Sequence, residues 1–313
     1  MKASLKASYQ KALIIPLIIL SLLFLSACDS DSSPTTGTGG VFKGGSLGVE
    51  ARFEPIGVIQ EDGSQSIYDT DEFSIEILLN NQGEEDIQIG GVTLNLIGQP
   101  KEDFQNIPAW SINNKNLVDK ISEFNPQGGE EIVSFTPDNL AKYTKPVTVF
   151  TPLKWNVEYI YDYKTHLVMN DVCFKGDFND KKICNVQEPK TYSVSGAPIS
   201  VTGVEQDTAG KGVIQLKITI ENVGDGKATA PGMEFDNRFS QVGYAIDEPN
   251  LWRCKSGGRE SVAIFVGTTA QVVCKLKTAL APGDLYTKVV PFTISYKYKD
   301  LIEQTVLVKE TVE

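Results

Sequence analysis

Histidine is almost missing from this chain: His166 is the only one in 313 residues. The commonest general base and a frequent metal ligand are thereby limited to one position. Basic side chains are also short, 29 Lys and Arg against 40 Asp and Glu, for a net charge of −11. Nucleic-acid binding needs a basic face that displaces phosphate counterions, and this balance argues against it. No Asn-x-Ser/Thr triplet occurs, which excludes Asn-linked glycans. No Cys-x-x-Cys pair occurs either, which excludes the usual zinc fingers. With 41% hydrophobic and 22% charged residues, the chain is neither disordered nor collagen-like.

What is present starts at the first residues. Lys2, Lys6 and Lys11 form a basic segment, followed by an apolar stretch from Ala12 to Ala27 broken only by Pro16, Ser21 and Ser26. That stretch is short of the roughly 20 residues that span a bilayer as a helix, and it has the pattern of a signal peptide. It runs into Leu25-Ser26-Ala27-Cys28, which resembles the lipobox of secreted lipoproteins. The resemblance implies cleavage before Cys28, lipidation of its thiol, and an anchored protein on the extracytoplasmic face of the cell membrane. Without the three leader lysines the net charge becomes −14, a charge that anionic headgroups repel. Residues 28–46, rich in Ser, Thr, Gly and Asp, read as a lipidated flexible tether.

Four further cysteines, Cys173, Cys184, Cys254 and Cys274, are an even number in an exported chain and imply two disulfides. Three connectivities are open, and local pairing, Cys173–Cys184 and Cys254–Cys274, is favoured because it closes short loops.

After residue 46, period-2 alternation dominates, as in Phe73-Ser-Ile75-Glu-Ile77-Leu-Leu79, Val213-Ile-Gln-Leu216-Lys-Ile218-Thr-Ile220 and Phe292-Thr-Ile294-Ser-Tyr296-Lys-Tyr298. Such alternation marks strands with one buried face, so the fold class is all-β. One or two helical turns are expected near Pro137–Tyr143. The pattern also repeats. Ile75, Ile77, Leu79, Asn81 and Gly83 recur 141 residues later as Leu216, Ile218, Ile220, Asn222 and Gly224, and Val157, Tyr159 and Tyr161 recur 137 later as Ile294, Tyr296 and Tyr298. The expected organisation is therefore a leader (1–27), a tether (28–46), a first β-sandwich (47–190) and a second (191–313), joined near Glu188–Pro198. The Asn222-Val-Gly224 turn and Ala281-Pro282-Gly283, with Asn81-Gln-Gly83 and Asn125-Pro126 in the first unit, resemble tandem immunoglobulin-like domains of prokaryotic surface proteins, in detail the CARDB type. That resemblance implies adhesion or scaffolding without catalysis or a cofactor.

Catalytic patterns are few. Gly44-Gly45-Ser46-Leu47-Gly48 matches G-x-S-x-G, but a glycine-rich tether stands where a nucleophile elbow needs a strand. Asp207-Thr208-Ala209-Gly210 is similar to an aspartic-protease loop, yet Glu205 and Gln206 precede it, no second copy exists, and it reads as a hairpin turn. His166 is expected at a turn or an exposed edge. Glu84-Glu85-Asp86 and the triplet Asp177, Asn179 and Asp180 offer oxygen ligands for calcium, the second being the better candidate, but neither completes a loop signature, so no metal is assigned. Trp155, inside the Val157/Tyr159/Tyr161 alternation, belongs to the core. Trp110, Trp252 and Tyr244 are the candidate ligand contacts.

The leading expectation is a non-catalytic, lipid-anchored envelope protein whose two sandwiches serve protein–protein interaction, adhesion or scaffolding. The alternative is a carbohydrate-binding surface lipoprotein, which requires Trp110, Trp155, Trp252 or Tyr244 to share an exposed face. The expected partners are thus the membrane, through lipid, and an envelope protein or polysaccharide.

Overall fold

Alternation of apolar and polar residues puts every second side chain on one face of a strand, and it governs nearly all of residues 47–309. The computed structural model describes residues 41–180 and 182–312. Ten principal strands carry the fold: β1 (Val49–Phe53), β2 (Glu76–Asn81), β3 (Val92–Ile97), β4 (Glu130–Ser134), β5 (Phe150–Lys175), β6 (Ile199–Gly210), β7 (Val213–Asn222), β8 (Gln241–Ile246), β9 (Thr269–Leu276) and β10 (Leu285–Lys309). The described residues contain no α-helix, only a 3-10 turn at Lys101–Asp103. The helical turns expected near Pro137–Tyr143 are a bend followed by a strand, Ala141–Tyr143. That strand pairs with Glu72–Phe73 on one side and Phe104–Gln105 on the other.

The strands fall into two equivalent sets of five. In the first, β2 lies between β1 and β4; in the second, β7 lies between β6 and β9. β3 pairs with β5 and with the edge strand Ser111–Asn113, as β8 pairs with β10 and with Val262–Ile264. The repeat visible in the sequence is thus a repeat of structure.

β5 and β10 join the sets. They are 26 and 25 residues long and pair antiparallel from Phe150–Lys309 to Lys175–Leu285, with one irregularity between Met169 and Val172. Each strand begins or ends in one half and runs on into the sheet of the other. Inward-facing Leu153, Trp155, Val157, Tyr159, Tyr161, Tyr163, Leu167 and Met169 are all buried, so the alternation never breaks where one half gives way to the next. The join expected near 188–198 accordingly falls within paired backbone. Glu188–Pro189 pairs with β6, and Tyr192–Val194 pairs with β5. The described residues pack as one compact unit rather than as two separated by a linker.

At the centre, Tyr161 faces Tyr298 and Tyr163 faces Tyr296 in register. Tyr163 Oη donates to Asn81 Oδ1 (3.3 Å) and accepts from Glu85 N (3.2 Å). Tyr298 Oη donates to Asn222 Oδ1 (3.2 Å) and accepts from Gly226 N (2.8 Å). Each asparagine also closes its own turn, Asn81 Nδ2 on Glu85 O and Asn222 Nδ2 on Gly226 O. Tyr163 is therefore the equivalent of Tyr298, and Tyr161 of Tyr296, an offset of 135 rather than the 137 read from the sequence. With that offset the two tyrosine pairs exchange, which places an approximate two-fold axis at the Asp162–Lys297 pair.

The tether ends earlier than expected. Glu84 accepts the backbone N–H groups of Lys43 (3.0 Å), Gly44 (2.9 Å) and Gly196 (2.7 Å), and Ala197 N donates to Gly45 O. One carboxylate thereby fastens residues 43–44 to both halves at once, so the last part of the 28–46 tether belongs to the folded body. Residues 1–40, including Cys28 and its leader, lie outside the described residues.

The Asn-x-Gly turns need glycine because the tyrosine hydroxyls occupy the space. A Cβ on Gly224 would lie 2.4 Å from Tyr298 Oη and 3.0 Å from Pro198 Cβ, whereas one on Gly83 would meet Tyr163 Oη at 2.0 Å and the Leu47 and Gly196 carbonyl oxygens at 2.7 and 2.9 Å. Gly224→Ala should cost about 1–3 kcal/mol by overpacking, and Tyr298→Phe in the same chain should recover part of that cost. Gly83→Ala should not be recovered by Tyr163→Phe, since backbone oxygens remain in the way. Urea unfolding of the four variants measures both; equal recovery at the two sites would contradict the geometry.

Candidate functional site

The sequence candidates Trp252 and Tyr244 come together in the second half, in a cleft of about 460 Å³. Tyr244, Ala245 and Ile246 of β8 form one wall. The edge strand Trp252–Lys255, held on β9, forms another, and Pro249, Glu260, Ser261 and Lys277 complete the rim. Trp252 faces Leu276 across the ladder and Cys254 faces Cys274, to which it is disulfide-bonded. The staple holds the edge strand, and with it Trp252 and Arg253, against the rest of the sheet. The second disulfide joins Cys173 and Cys184. Local pairing, favoured because it closes short loops, is what the structure shows.

Both aromatics are buried against neighbouring rings. Trp252 is 3% exposed and packs edge-on against Phe174, at 5.8 Å between rings. Tyr244 is 8% exposed, stacks on Phe292 at 5.8 Å, and donates its hydroxyl to Arg259 O (3.1 Å). Burial pushes the Tyr244 hydroxyl above its ordinary value, so it stays a neutral donor. Trp110 lies elsewhere, half-buried in the first half at 6.3 Å from Phe104 and 6.1 Å from Trp155. Trp155 is wholly buried. These four rings do not share an exposed face, since Trp155, Trp252 and Tyr244 are buried and Trp110 packs against Phe104 and Trp155.

Two cations, Arg253 and Lys277, and one acid, Glu260, stand among the residues that line the cleft. Arg253 sits directly opposite Lys275 in the ladder, and both are exposed. Like charges placed opposite each other repel. Lys277 reaches over the cleft to donate from Nζ to Pro249 O (2.8 Å). The one acid on the rim, Glu260, lies 3.7 Å from Lys255. Neither Arg253 nor Lys275 has an ion pair among the described residues. Composition alone hid this pair, since Arg253 and Lys277 stand 24 residues apart in the sequence.

The other sequence candidates take structural roles. Around Asp177, Asn179 and Asp180 the centre of the loop is filled by the Lys175 ammonium. Lys175 is 3% exposed and donates to the backbone oxygens of Asp180 (2.7 Å), Lys182 (3.0 Å) and Cys184. Asp177 Oδ1 accepts from Asn179 N, and Asp180 Oδ1 from Lys182 N. Backbone oxygens of this loop thus already hold a cation supplied by the chain. No group of three His, Cys, Asp or Glu is gathered as a metal site among the described residues. Ser46 of the G-x-S-x-G match is exposed and leads into β1, with no helix after it. Asp207 lies on β6 near its turn, with its carboxylate held low by hydrogen bonds from Thr208 N and Gln187.

His166 is neither at a turn nor on an edge: it lies within β5, half-exposed on the outer face. Its Nε2 is 3.0 Å from Glu85 Oε2, and its ring stacks on Phe42. Burial acts to raise the Glu85 carboxyl. The hydrogen bond and charge of His166, with Lys164 and Lys120, outweigh burial and hold the carboxyl below its ordinary value.

No protein-family model, curated protein or solved structure matches the chain.

Two expectations follow. Lys175→Met should leave three part-buried carbonyl groups without their charged donor and destabilise the fold by about 1–3 kcal/mol, and added calcium should not shift the unfolding midpoint of the parent protein; a calcium-dependent rise would contradict the bound ammonium. A lowered Glu85 value contributes stability that is complete above the ordinary carboxylate value of 4.5 and is lost as pH falls through the folded value. Glu85→Gln should therefore flatten the acid limb of stability against pH below about 5, read from urea midpoints across that window.

Proposed function

We propose that the chain is a lipid-anchored protein of the cell envelope, held on the extracytoplasmic face of the membrane through Cys28, that works by binding another envelope protein rather than by catalysis. Its two halves are read as immunoglobulin-like sandwiches fused through β5 and β10 into one rigid scaffold. The Leu25-Ser-Ala-Cys28 motif after an apolar leader supports the anchor, and the two disulfides fit an oxidising compartment. One observation supports the binding reading: the cleft of the second half has Tyr244, Trp252, Arg253 and Lys277 converging on it. The sugar-binding alternative has less to support it, since Trp252 and Tyr244 are both buried and pack against Phe174 and Phe292.

The scaffold reading expects a stoichiometric partner. Cross-linking of the full-length protein in its native membrane, followed by mass spectrometry, should return one recurrent protein joined through residues of the second half. Cys28→Ser should move the protein out of the membrane fraction and remove the mass of the lipid. Random cross-links together with sedimentation on cell-wall glycan would overturn the reading.

A further inference from the structure

The shared ladder leaves one of two equivalent edges empty. β5 and β10 each have an outer edge, away from the other strand, and the 135-residue offset matches residues 166–170 of β5 with residues 301–305 of β10. On β5 that stretch is filled. Tyr192–Val194 runs antiparallel along it, with Val194 opposite Leu167, Ser193 opposite Val168 and Tyr192 opposite Met169. Backbone bonds extend the pairing at both ends, Ser195 N donating to His166 O and Asn170 N to Thr191 O, each at 2.9 Å. On β10 the outer edge takes β8 at residues 292–295, Lys227–Thr229 at 297–299 and Gln65–Tyr68 at 306–309. Among the described residues, no strand lies beside residues 300–305 on that side. Side chains stand in locally: Asp300 Oδ1 accepts from Leu301 N (2.8 Å), and Gln304 Nε2 donates to Thr305 O (3.0 Å). The core side is open as well. Ile302 and Gln304 are half-buried, whereas their counterparts Leu167 and Met169 are 1% and 0% exposed.

We infer that the 300–305 edge of β10 receives an extended segment of a partner protein, added antiparallel as residues 191–195 add to β5. The gap is about 20 Å of strand, long enough for the main-chain hydrogen bonds that give strand addition its affinity. In an antiparallel pair these bonds fall on alternate residues. Leu301, Glu303 and Thr305 therefore take the roles of His166, Val168 and Asn170, whose backbone groups face the added strand. Segment residues opposite Ile302 and Gln304, in the places of Val194 and Tyr192, lie on the half-open core side and are apolar. The residue opposite Glu303, in the place of Ser193, lies on the outer face. Glu303 already pairs there with Lys154 (2.9 Å), so a small polar side chain suffices. A second copy of this chain is disfavoured, because two-fold pairing of residues 301–305 sets Glu303 opposite Glu303. The edge is separate from the cleft beside Trp252, so the inference goes beyond the reading above and does not depend on that cleft.

The probe is the strand that fills the equivalent edge, a synthetic peptide with the sequence of residues 190–196, Lys-Thr-Tyr-Ser-Val-Ser-Gly, added to the full-length protein. Amide hydrogen exchange is read residue by residue with and without peptide. Exchange of the Glu303 N–H should slow about tenfold at saturating peptide, while that of Val168, whose edge is occupied, stays as it was. The same peptide with its central Ser replaced by Pro lacks the middle donor and should bind about tenfold more weakly. Glu303→Pro removes the matching donor from β10 at an edge position, where proline is tolerated, and should weaken binding as much without lowering the unfolding midpoint. If that variant fails to fold, the proline peptide decides. The inference is overturned if Glu303 exchange is unchanged at millimolar peptide, if the proline peptide protects Glu303 equally, or if exchange changes at Val168 instead. It is also overturned if Glu303 is protected without peptide in proportion to protein concentration, which assigns the edge to a second copy. A partner captured in the membrane through the Trp252 cleft, with Glu303 unprotected by peptide, sinks this inference alone. Slowed exchange at Glu303 with no partner captured sinks the envelope-binding reading alone.

Discussion

The antiparallel ladder between β5 and β10 sets the position of every other element. A strand of about 25 residues is several times the usual length, and no single sandwich can cover one face of it. The chain solves this by lending each strand to both halves: β3 lines one stretch of β5, Tyr192–Val194 lines another, and β8 takes the matching stretch of β10. The tyrosines at the crossing then lock the layers. Tyr163 and Tyr298 reach from the shared sheet into the Asn81 and Asn222 turns, where their hydroxyls take the place of a Cβ at Gly83 and Gly224. Burial holds these phenols, like Tyr161 and Tyr296, protonated, so the lock does not loosen with ordinary changes of pH.

Fusion through a shared ladder has functional consequences. Two domains on a linker reorient freely, whereas halves joined by continuous strands present their surfaces at a constant spacing. The Glu84 carboxylate extends this rigidity to residues 43–44 by accepting backbone donors from the incoming chain and from Gly196. Under the lipid-anchor reading, the body is held at the seam between its halves, and the cleft beside Trp252 projects from the second half at a defined distance from that seam.

Much of the architecture was legible in the residues. Alternation in β2, β7 and β10 marked strands and a core face, and it holds in the structure. Cys173–Cys184 and Cys254–Cys274 pair as short loops favour, the second across a ladder where the two residues stand opposite. The Asn-x-Gly repeat marked the duplication because a turn needing that glycine twice leaves the same trace twice. The cleft was half legible: Trp252 and Tyr244 stood out among the aromatics, but Lys277 lies too far along the chain from Arg253 for the sequence to bring them together.

The remainder depended on pairing over long separations. A two-residue slip keeps every side chain on its original face, so alternation alone could not distinguish an offset of 137 from the true 135; only the partner strand's register separates them. Nor does local sequence say where a continuous strand passes from one sheet to another, and the segment at 188–198 resembled a linker because Pro, Gly and Ser are as common in short edge strands as in loops. Lys175 shows a different limit, since its ammonium lies only five to nine residues from its acceptors but bonds to backbone oxygens, which residue types do not reveal. Strand identity, turn chemistry and disulfide pairing were written locally, in residues a few positions apart. That Trp110 packs on Trp155, and Trp252 on Phe174, was settled by packing between segments distant in sequence, because a side chain fills space only against neighbours that the folded chain supplies.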